Sequence, residues 1–418
     1  MNRVVVTGLG FISSIGNSRS AVLESLREGR CGIDVMPELA AANDRVKLAG
    51  AVKGFSFPSN DQFDWTFPDS IALSRTQLRT MVPHAVFAIG AMQEAIADAA
   101  LDPAQVSTPH TGLYCASAGS SSMIYAALDS VLKRGPARTS APTVVTGMPN
   151  SLHLNLTARF GIKGASVGFS SACASSAHAL GSACDLIRMG RQKIMFVVGA
   201  EDCDLCNILP FASLRALSQQ SDPALAPRPF DANRDGFIVT GGAATLVLED
   251  ADHAAARGAT VYAEVTGWGQ ASDGYDVVAP DPSGGGLARA MTNALQDADL
   301  DSSAVDYINA HATATHAGDL AELSALKTIF NGDKRPKVSS TKALTGHGLS
   351  LAGALEAGIC CLALREGFMP VSAKIQQLDP ACEGVSILTE RCDEAPRVAM
   401  SNSSGFGGSN VALIFSQA

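Results

Sequence analysis

Short apolar runs of strand length alternate along this chain with longer stretches of helical period, separated by glycine, proline or polar turns. Arg3 to Thr7 is a β-branched run ending at Gly8, and Ser20 to Glu28 carries a helical pattern, so the beginning reads strand, glycine turn, helix. Further buried strands are predicted at Thr111 to Ala116, Lys193 to Gly199, Ala243 to Leu248, Val305 to Asn309 and Val411 to Phe415. The greasiest stretch, Leu349 to Leu364, is interrupted by Glu356 and falls short of the ~18 unbroken apolar residues that suggest a membrane span. It predicts a buried helix, and the alternation as a whole predicts an α/β fold.

The pattern also repeats itself. Ala91-Met92, Ala95, Asp98-Ala99 and Leu101-Asp102 recur as Ala290-Met291, Ala294, Asp297-Ala298 and Leu300-Asp301, at a constant offset of 199 positions. Val4 to Gly10 lies beside Ala263 to Gly269 in the same way, each a strand containing Thr-Gly-x-Gly. Two matching marks predict a duplicated α/β unit, with halves at residues 1–255 and 256–418.

Composition narrows the classes. The chain has 418 residues, 46% hydrophobic and 17% charged, enough apolar content for a large core and too much for disorder. A formal charge of -9 argues against general nucleic-acid binding, so an acidic partner must use a local basic patch. The opening run is too short for a signal peptide, and the ten cysteines are scattered through apolar patterns, as with Cys115, Cys184 and Cys360. A cytoplasmic protein with reduced thiols is expected. Three partial motifs fail on inspection. Gly8-Leu9-Gly10 has Ser13 in place of the third glycine of a dinucleotide loop; Asp231 to Gly242 has glycine where a calcium loop needs Glu; Cys203 and Cys206 have no second pair to complete a zinc site. No metal or cofactor is implied.

Four segments carry chemistry. Ser170-Ser171-Ala172-Cys173-Ala174-Ser175-Ser176 places a thiol where a small polar turn becomes an Ala-rich helix, whose N-terminus is expected to favour thiolate. Tyr307-Ile308-Asn309-Ala310-His311 runs a buried strand into a polar loop, with His311 at its mouth. Ser339-Ser340-Thr341-Lys342-Ala343-Leu344-Thr345-Gly346-His347 sets Lys342 and His347 five apart across a turn. Ser401-Asn402-Ser403-Ser404-Gly405-Phe406-Gly407-Gly408-Ser409-Asn410 is a glycine loop able to lay backbone N–H groups against a carbonyl oxygen.

In this order, and together with Arg228-Pro229-Phe230-Asp231 through Phe237, the segments resemble the β-ketoacyl-[acyl-carrier-protein] synthases of the I/II type, in the thiolase superfamily. The resemblance runs nearly end to end. It implies a thiolase-like fold of two pseudo-repeated halves in five α-β-α-β-α layers, a homodimer, and elongation of an acyl chain by decarboxylative condensation with malonyl carrier. Carried over, Cys173 is the nucleophile, His311 and His347 the paired histidines, Lys342 the active-site lysine with Glu322 as its acidic neighbour, and Phe406 the gate that shares the oxyanion hole with Cys173. Thr313, Thr315, Phe237, Gly407 and Gly408 are expected along the substrate path, and Lys133, Arg134 and Arg138 where the acyl carrier protein docks.

The resemblance is not complete. The usual HGTSTP is His311-Ala312-Thr313-Ala314-Thr315-His316 here, and Ser404 stands where phenylalanine is usual. These departures bear on chain length and carrier choice, leaving open a synthase of a specialised lipid, polyene or polyketide pathway. A thiolase would need a second catalytic cysteine in the C-terminal region that here reads Ser401 to Asn410 and holds none, and a non-catalytic chain-length factor would lack Cys173.

Overall fold

The computed structural model describes residues 1–418. Its strands are β1 (Val4–Ile12), β2 (Asp34–Val35), β3 (Leu48–Ala49), β4 (Thr111–Ala116), β5 (Ser166–Phe169), β6 (Ile194–Glu201), β7 (Gly242–Asp250), β8 (Ala263–Ser272), β9 (Tyr307–Asn309), β10 (Lys337–Ser339), β11 (Ser386–Ile387), β12 (Val398–Gly405) and β13 (Ser409–Ser416). β2 and β3 form a small separate ribbon, and the other strands make one mixed sheet.

The sheet reads as the same unit twice. Its first half has the order β1-β7-β6-β4-β5 and its second β8-β13-β12-β9-β10, with β11 added at the edge. Successive pairs run antiparallel, antiparallel, parallel, parallel in both halves. The halves are not separate sheets, because β1 and β8 pair at Val5–Glu264 and Val6–Ala263. The sequence echo is the chemistry of this packing. A Cβ on Gly8 or Gly10 would strike the carbonyl oxygens of Ala95 and Ala91 in the helix Pro83–Asp98, and one on Gly267 or Gly269 those of Ala294 and Ala290 in the helix Gly285–Asp297. Glycine on the strand and alanine on the helix let the backbones touch. In each half the residue between the glycines donates its N–H to the matching aspartate: Leu9 to Asp98 and Trp268 to Asp297, both at 2.9 Å.

Strand alternation then sorts the layers. Ala244, Leu246 and Leu248 of β7, with Val411, Leu413 and Phe415 of β13, enclose the helices Ser175–Arg188 and Ala352–Glu366 in one central core. The alternate residues face outward, Ala243 and Val247 toward the helix Pro83–Asp98, Ala412 and Ile414 toward Gly285–Asp297 and His316–Ile329. Five layers result. The helix predicted within Leu349 to Leu364 is the inner one: it begins at Ala352 and is buried on every face through Leu364. The strand predicted from Val305 begins only at Tyr307, after the tight turn Ser302–Ala304. The segment that imitates a calcium loop is tied up structurally. Asp231 accepts N–H groups from Asn233, Gln376 and Gln377, and Arg234 pairs with Asp319 at 3.3 Å and Asp379 at 2.6 Å.

The strand–helix contact gives a direct test of the repeat. Gly10→Ala is expected to destabilise the protein by about 2 kcal/mol, as overpacking does in cores, whereas Gly332→Ala, with open space at its Cβ, should leave the urea midpoint unchanged.

Candidate active site

The reactive side chains come from turns that follow strands and precede helices, at the sheet edge where α/β folds gather ligands. Cys173 stands two residues before the helix Ser175–Arg188, in a turn where Ala172 holds the left-handed φ of 49°. His311 lies just beyond β9, and Lys342 opens the short helix Lys342–Thr345 beyond β10. His347 follows at the turn leading to the inner helix. Phe406, Gly407 and Gly408 form the tip of the β12–β13 hairpin, with φ of 77° and 70° at the two glycines.

These turns converge. His347 Nε2 is 3.1 Å from Cys173 Sγ. The two imidazoles stand 5.2 Å apart, centre to centre, at 87°. Phe237 lies edge-on to His347 at 5.3 Å, Phe211 to Phe237 at 5.5 Å, and Phe406 is 6.1 Å from Phe211, so an aromatic series leads from His347 to the partly exposed Phe406. A Cβ on Gly405 would sit 3.1 Å from the Cys173 nitrogen, which brings the hairpin tip against the Cys173 amide. Thr313 and Thr315 share a hydroxyl contact of 3.1 Å in the loop after His311. Lys133, Arg134 and Arg138 are exposed at the end of the helix Ser121–Arg134 and its following turn, outside this cluster.

Two expectations need correction. The carboxylate bonded to Lys342 is Glu356, one turn into the inner helix, and not Glu322. Glu322 instead accepts the N–H groups of His311 at 3.0 Å and Ala312 at 2.7 Å and the Asn402 amide at 3.1 Å, so it fixes the His311 loop from behind. The second concerns the thiol. Helix position was expected to favour thiolate, but burial pushes Cys173 up to about 12, with Lys342 the leading opposing influence. With that shift the Cys173 thiol is neutral at ordinary pH. Both imidazoles are held well below the usual histidine range, by burial first and the Lys342 charge next, and are therefore neutral at ordinary pH. Burial and proximity to Glu322 raise the Glu356 carboxyl to about 7 against the opposing pull of Lys342.

Sequence reasoning missed Glu356, Asn402 and Phe211 as parts of the site. A signal for the first was present, since a lone carboxylate in an otherwise apolar helix requires a buried cation beside it.

With this geometry in view, comparison with known proteins is decisive. The family descriptions "Beta-ketoacyl synthase, N-terminal domain" and "Beta-ketoacyl synthase, C-terminal domain" match residues 1–254 and 262–376. The chain belongs to the β-ketoacyl synthase family. It is 43% identical over 422 residues to 3-oxoacyl-[acyl-carrier-protein] synthase 1 of Haemophilus influenzae, covering 99% of both chains. Among solved structures, a β-ketoacyl synthase from Burkholderia phymatum superposes with a TM-score of 0.90 at 36% identity over the whole of both chains. A type II polyketide ketosynthase in complex with its acyl-carrier protein gives a TM-score of 0.86 at 26% identity, covering 100% of this chain and 99% of that one. The thiolase-like architecture expected from the motifs is the one observed. No helix is long and apolar enough to cross a membrane.

The electrostatic role of Lys342 is testable without turnover. In Lys342→Met the imidazoles lose a neighbouring positive charge, so their proton affinities rise, and both rings should titrate at higher pH than in the wild type. Histidine NMR titrations report this; unchanged midpoints would remove Lys342 as a cause.

Proposed function

We propose that this chain is a β-ketoacyl-[acyl-carrier-protein] synthase in which Cys173 holds an acyl group and His311 and His347 promote its condensation with malonyl carrier. The observation that carries the reading is the 3.1 Å contact between Cys173 Sγ and a neutral His347 Nε2, with a second neutral imidazole beside it.

The chemistry follows from the charge states. Cys173 sulfur attacks an acyl thioester, its carbon–sulfur bond to the carrier breaks, and the thiol proton passes to the departing carrier thiol, with His347 placed to relay it. In the second half, malonyl carrier loses carbon dioxide and leaves an enolate. Neutral ring N–H groups can stabilise that oxygen without protonating the carbanion, which an imidazolium would do. The enolate carbon attacks the Cys173 thioester, the new carbon–carbon bond forms, and sulfur departs as thiolate to be reprotonated from solvent. The tetrahedral oxyanion would face the amides of Cys173 and Phe406, a role supported by the hairpin's approach to the Cys173 nitrogen. Lys342, paired with Glu356, acts as fixed charge rather than as a base.

In this reading residues 1–255 supply the nucleophile and residues 256–418 the histidines, lysine and gate. Thr313, Thr315, Phe237, Gly407 and Gly408 line the pantetheine path. Lys133, Arg134 and Arg138 receive the acidic carrier, the kind of partner that the polyketide ketosynthase binds. The working form is a cytoplasmic homodimer. Its interface is supported by β5, the outermost strand of the first half, and by Tyr125, Leu128 and Leu132, exposed at 70%, 57% and 84%.

Incubation with a ladder of acyl carrier thioesters, followed by intact-mass measurement, should show one acyl group on the wild type and none on Cys173→Ala; unchanged condensation by Cys173→Ala would refute the assignment. In the same assay Arg134→Glu should require more carrier to reach the same plateau. Separately, Leu132→Asp should shift the sedimenting species from dimer toward monomer while near-UV circular dichroism stays constant.

A further inference from the structure

The turn that carries Cys173 is held in a conformation it would not keep alone. Ala172 has a left-handed φ of 49°, which a residue with a side chain adopts only where its surroundings fix it. Two residues of the following helix do so. Ser175, fully buried, accepts the Ser171 N–H at 2.8 Å and donates to the Ala172 carbonyl at 2.6 Å. His178, about one helical turn further on, places Nδ1 2.9 Å from Ser171 Oγ and 3.2 Å from the Ala174 carbonyl oxygen. Ser175 therefore ties the backbone of the turn, and His178 ties the side chain of Ser171.

Ser171 also reaches the reaction centre by a second route. A Cβ on Gly405 would lie 2.7 Å from the Ser171 carbonyl oxygen and 3.1 Å from the Cys173 nitrogen, so the gate hairpin rests on Ser171 and on the Cys173 amide together. The place of Ser171 thus sets how two amides stand to one another: that of Cys173, two residues along the turn, and that of Phe406, next to Gly405 in the hairpin. Burial holds the His178 imidazole below the usual histidine range, so the ring is neutral at ordinary pH. An Nδ1 that carries the ring proton serves both the Ser171 and the Ala174 oxygens.

We propose that His178 is a positioning residue for acyl transfer: through Ser171 Oγ it fixes the Cys173 turn and the seat of the gate hairpin, and so keeps the amides of Cys173 and Phe406 aimed at one point. Its contacts are with Ser171 and Ala174 rather than with the thiol. The consequence is selective. When sulfur adds to a thioester, negative charge gathers on the carbonyl oxygen and needs both amides. Alkylation of the same sulfur by iodoacetamide makes no oxyanion and needs neither.

The acyl-transfer half of this inference rests on the function proposed above; the Ser171–His178 contact does not. With acyl carrier thioesters and the full-length enzyme, His178→Ala should lower the rate of Cys173 acylation about tenfold, short of the roughly hundredfold loss that a misplacement of about 1 Å brings. Iodoacetamide labelling of Cys173, located by peptide mass, should stay within about twofold of the wild type. His178→Asn, whose side-chain amide can stand where Nδ1 stood, should recover most of the acylation rate. Ser171→Ala should lose as much as His178→Ala, and the double variant no more than either, because the two residues act as one brace. An unchanged acylation rate in His178→Ala, an equal fall in alkylation, or losses that multiply in the double variant would each overturn the role. If His178→Ala fails to fold, Ser171→Ala and His178→Asn carry the same comparison. A wild type that takes no acyl group from any carrier thioester would count against the functional reading instead. The contact is then decided by nitrogen NMR of the histidine rings: Ser171→Ala should move the His178 Nδ1 resonance, and an unmoved resonance would overturn the brace.

Discussion

The meeting of two helix N-termini in the central layer is the constraint on which the site depends. Ser175–Arg188 begins just after Cys173, and Ala352–Glu366 begins just after His347 and the turn Leu349–Leu351. A Cβ on Gly353 would lie 2.6 Å from the Ala177 nitrogen, and the Ala354 N–H donates to Ser176 Oγ at 2.8 Å. Only glycine at 353 and small residues opposite let the helices come this close. Because each helix is clamped between the sheet and the other helix, the approach is rigid, and the sulfur and imidazole that precede them are held in contact without a bond being spent on it.

A second constraint follows from the dryness of that position. Lys342 is 1% exposed and Glu356 2%, and either charge alone at this depth would cost several kcal/mol. Their pairing ties the turn carrying His347 to the same inner helix that sets its distance from Cys173. The ammonium also does electrostatic work outward: it depresses both imidazoles and opposes the burial that keeps the thiol neutral. One buried ion pair therefore bears on the protonation of Cys173, His311 and His347 alike.

Much of this was legible in the residues. The Thr-Gly-x-Gly strands and their Ala-rich helices announced the duplication, because the contact they make is backbone on backbone and tolerates few residue types. Cys173, His311, Lys342 and His347 were legible because each sits in a turn of restricted composition. What could not be read was partnership through space. Glu322 and Glu356 are both buried acids in helices rich in small and apolar residues, and nothing local says which one reaches Lys342; the answer depends on how the inner helix is rotated against the turn. The thiol was misjudged for a related reason. A helix N-terminus is visible in sequence, whereas the desolvation that outweighs it is a property of the assembled layers.

The departures from the family pattern can be placed on the same physical map. Ala312 adds a methyl where glycine is usual, yet its N–H is held by Glu322 at 2.7 Å and its carbonyl by Ser340 at 2.6 Å, so the loop after His311 keeps its course. Ser404 turns its hydroxyl to Asn410 at 2.7 Å, and Asn410 reaches Asp273 at 2.7 Å, so a polar chain secures the gate hairpin to the end of β8 where an aromatic ring would have packed. His316 is exposed at the first position of its helix, with its carbonyl accepting from Arg234 at 3.2 Å. Ala312 and His316 lie in and just beyond the loop after His311 and Ser404 in the hairpin beside Cys173, and none breaks the Cys173–His347 or the His311–His347 contact. A hairpin fastened by hydrogen bonds opens by exchanging them with water, whereas one fastened by a buried ring opens by exposing apolar surface. The substitution at 404 thus changes what holds the hairpin in place beside Cys173 while leaving the Cys173–His347 and His311–His347 contacts as they are.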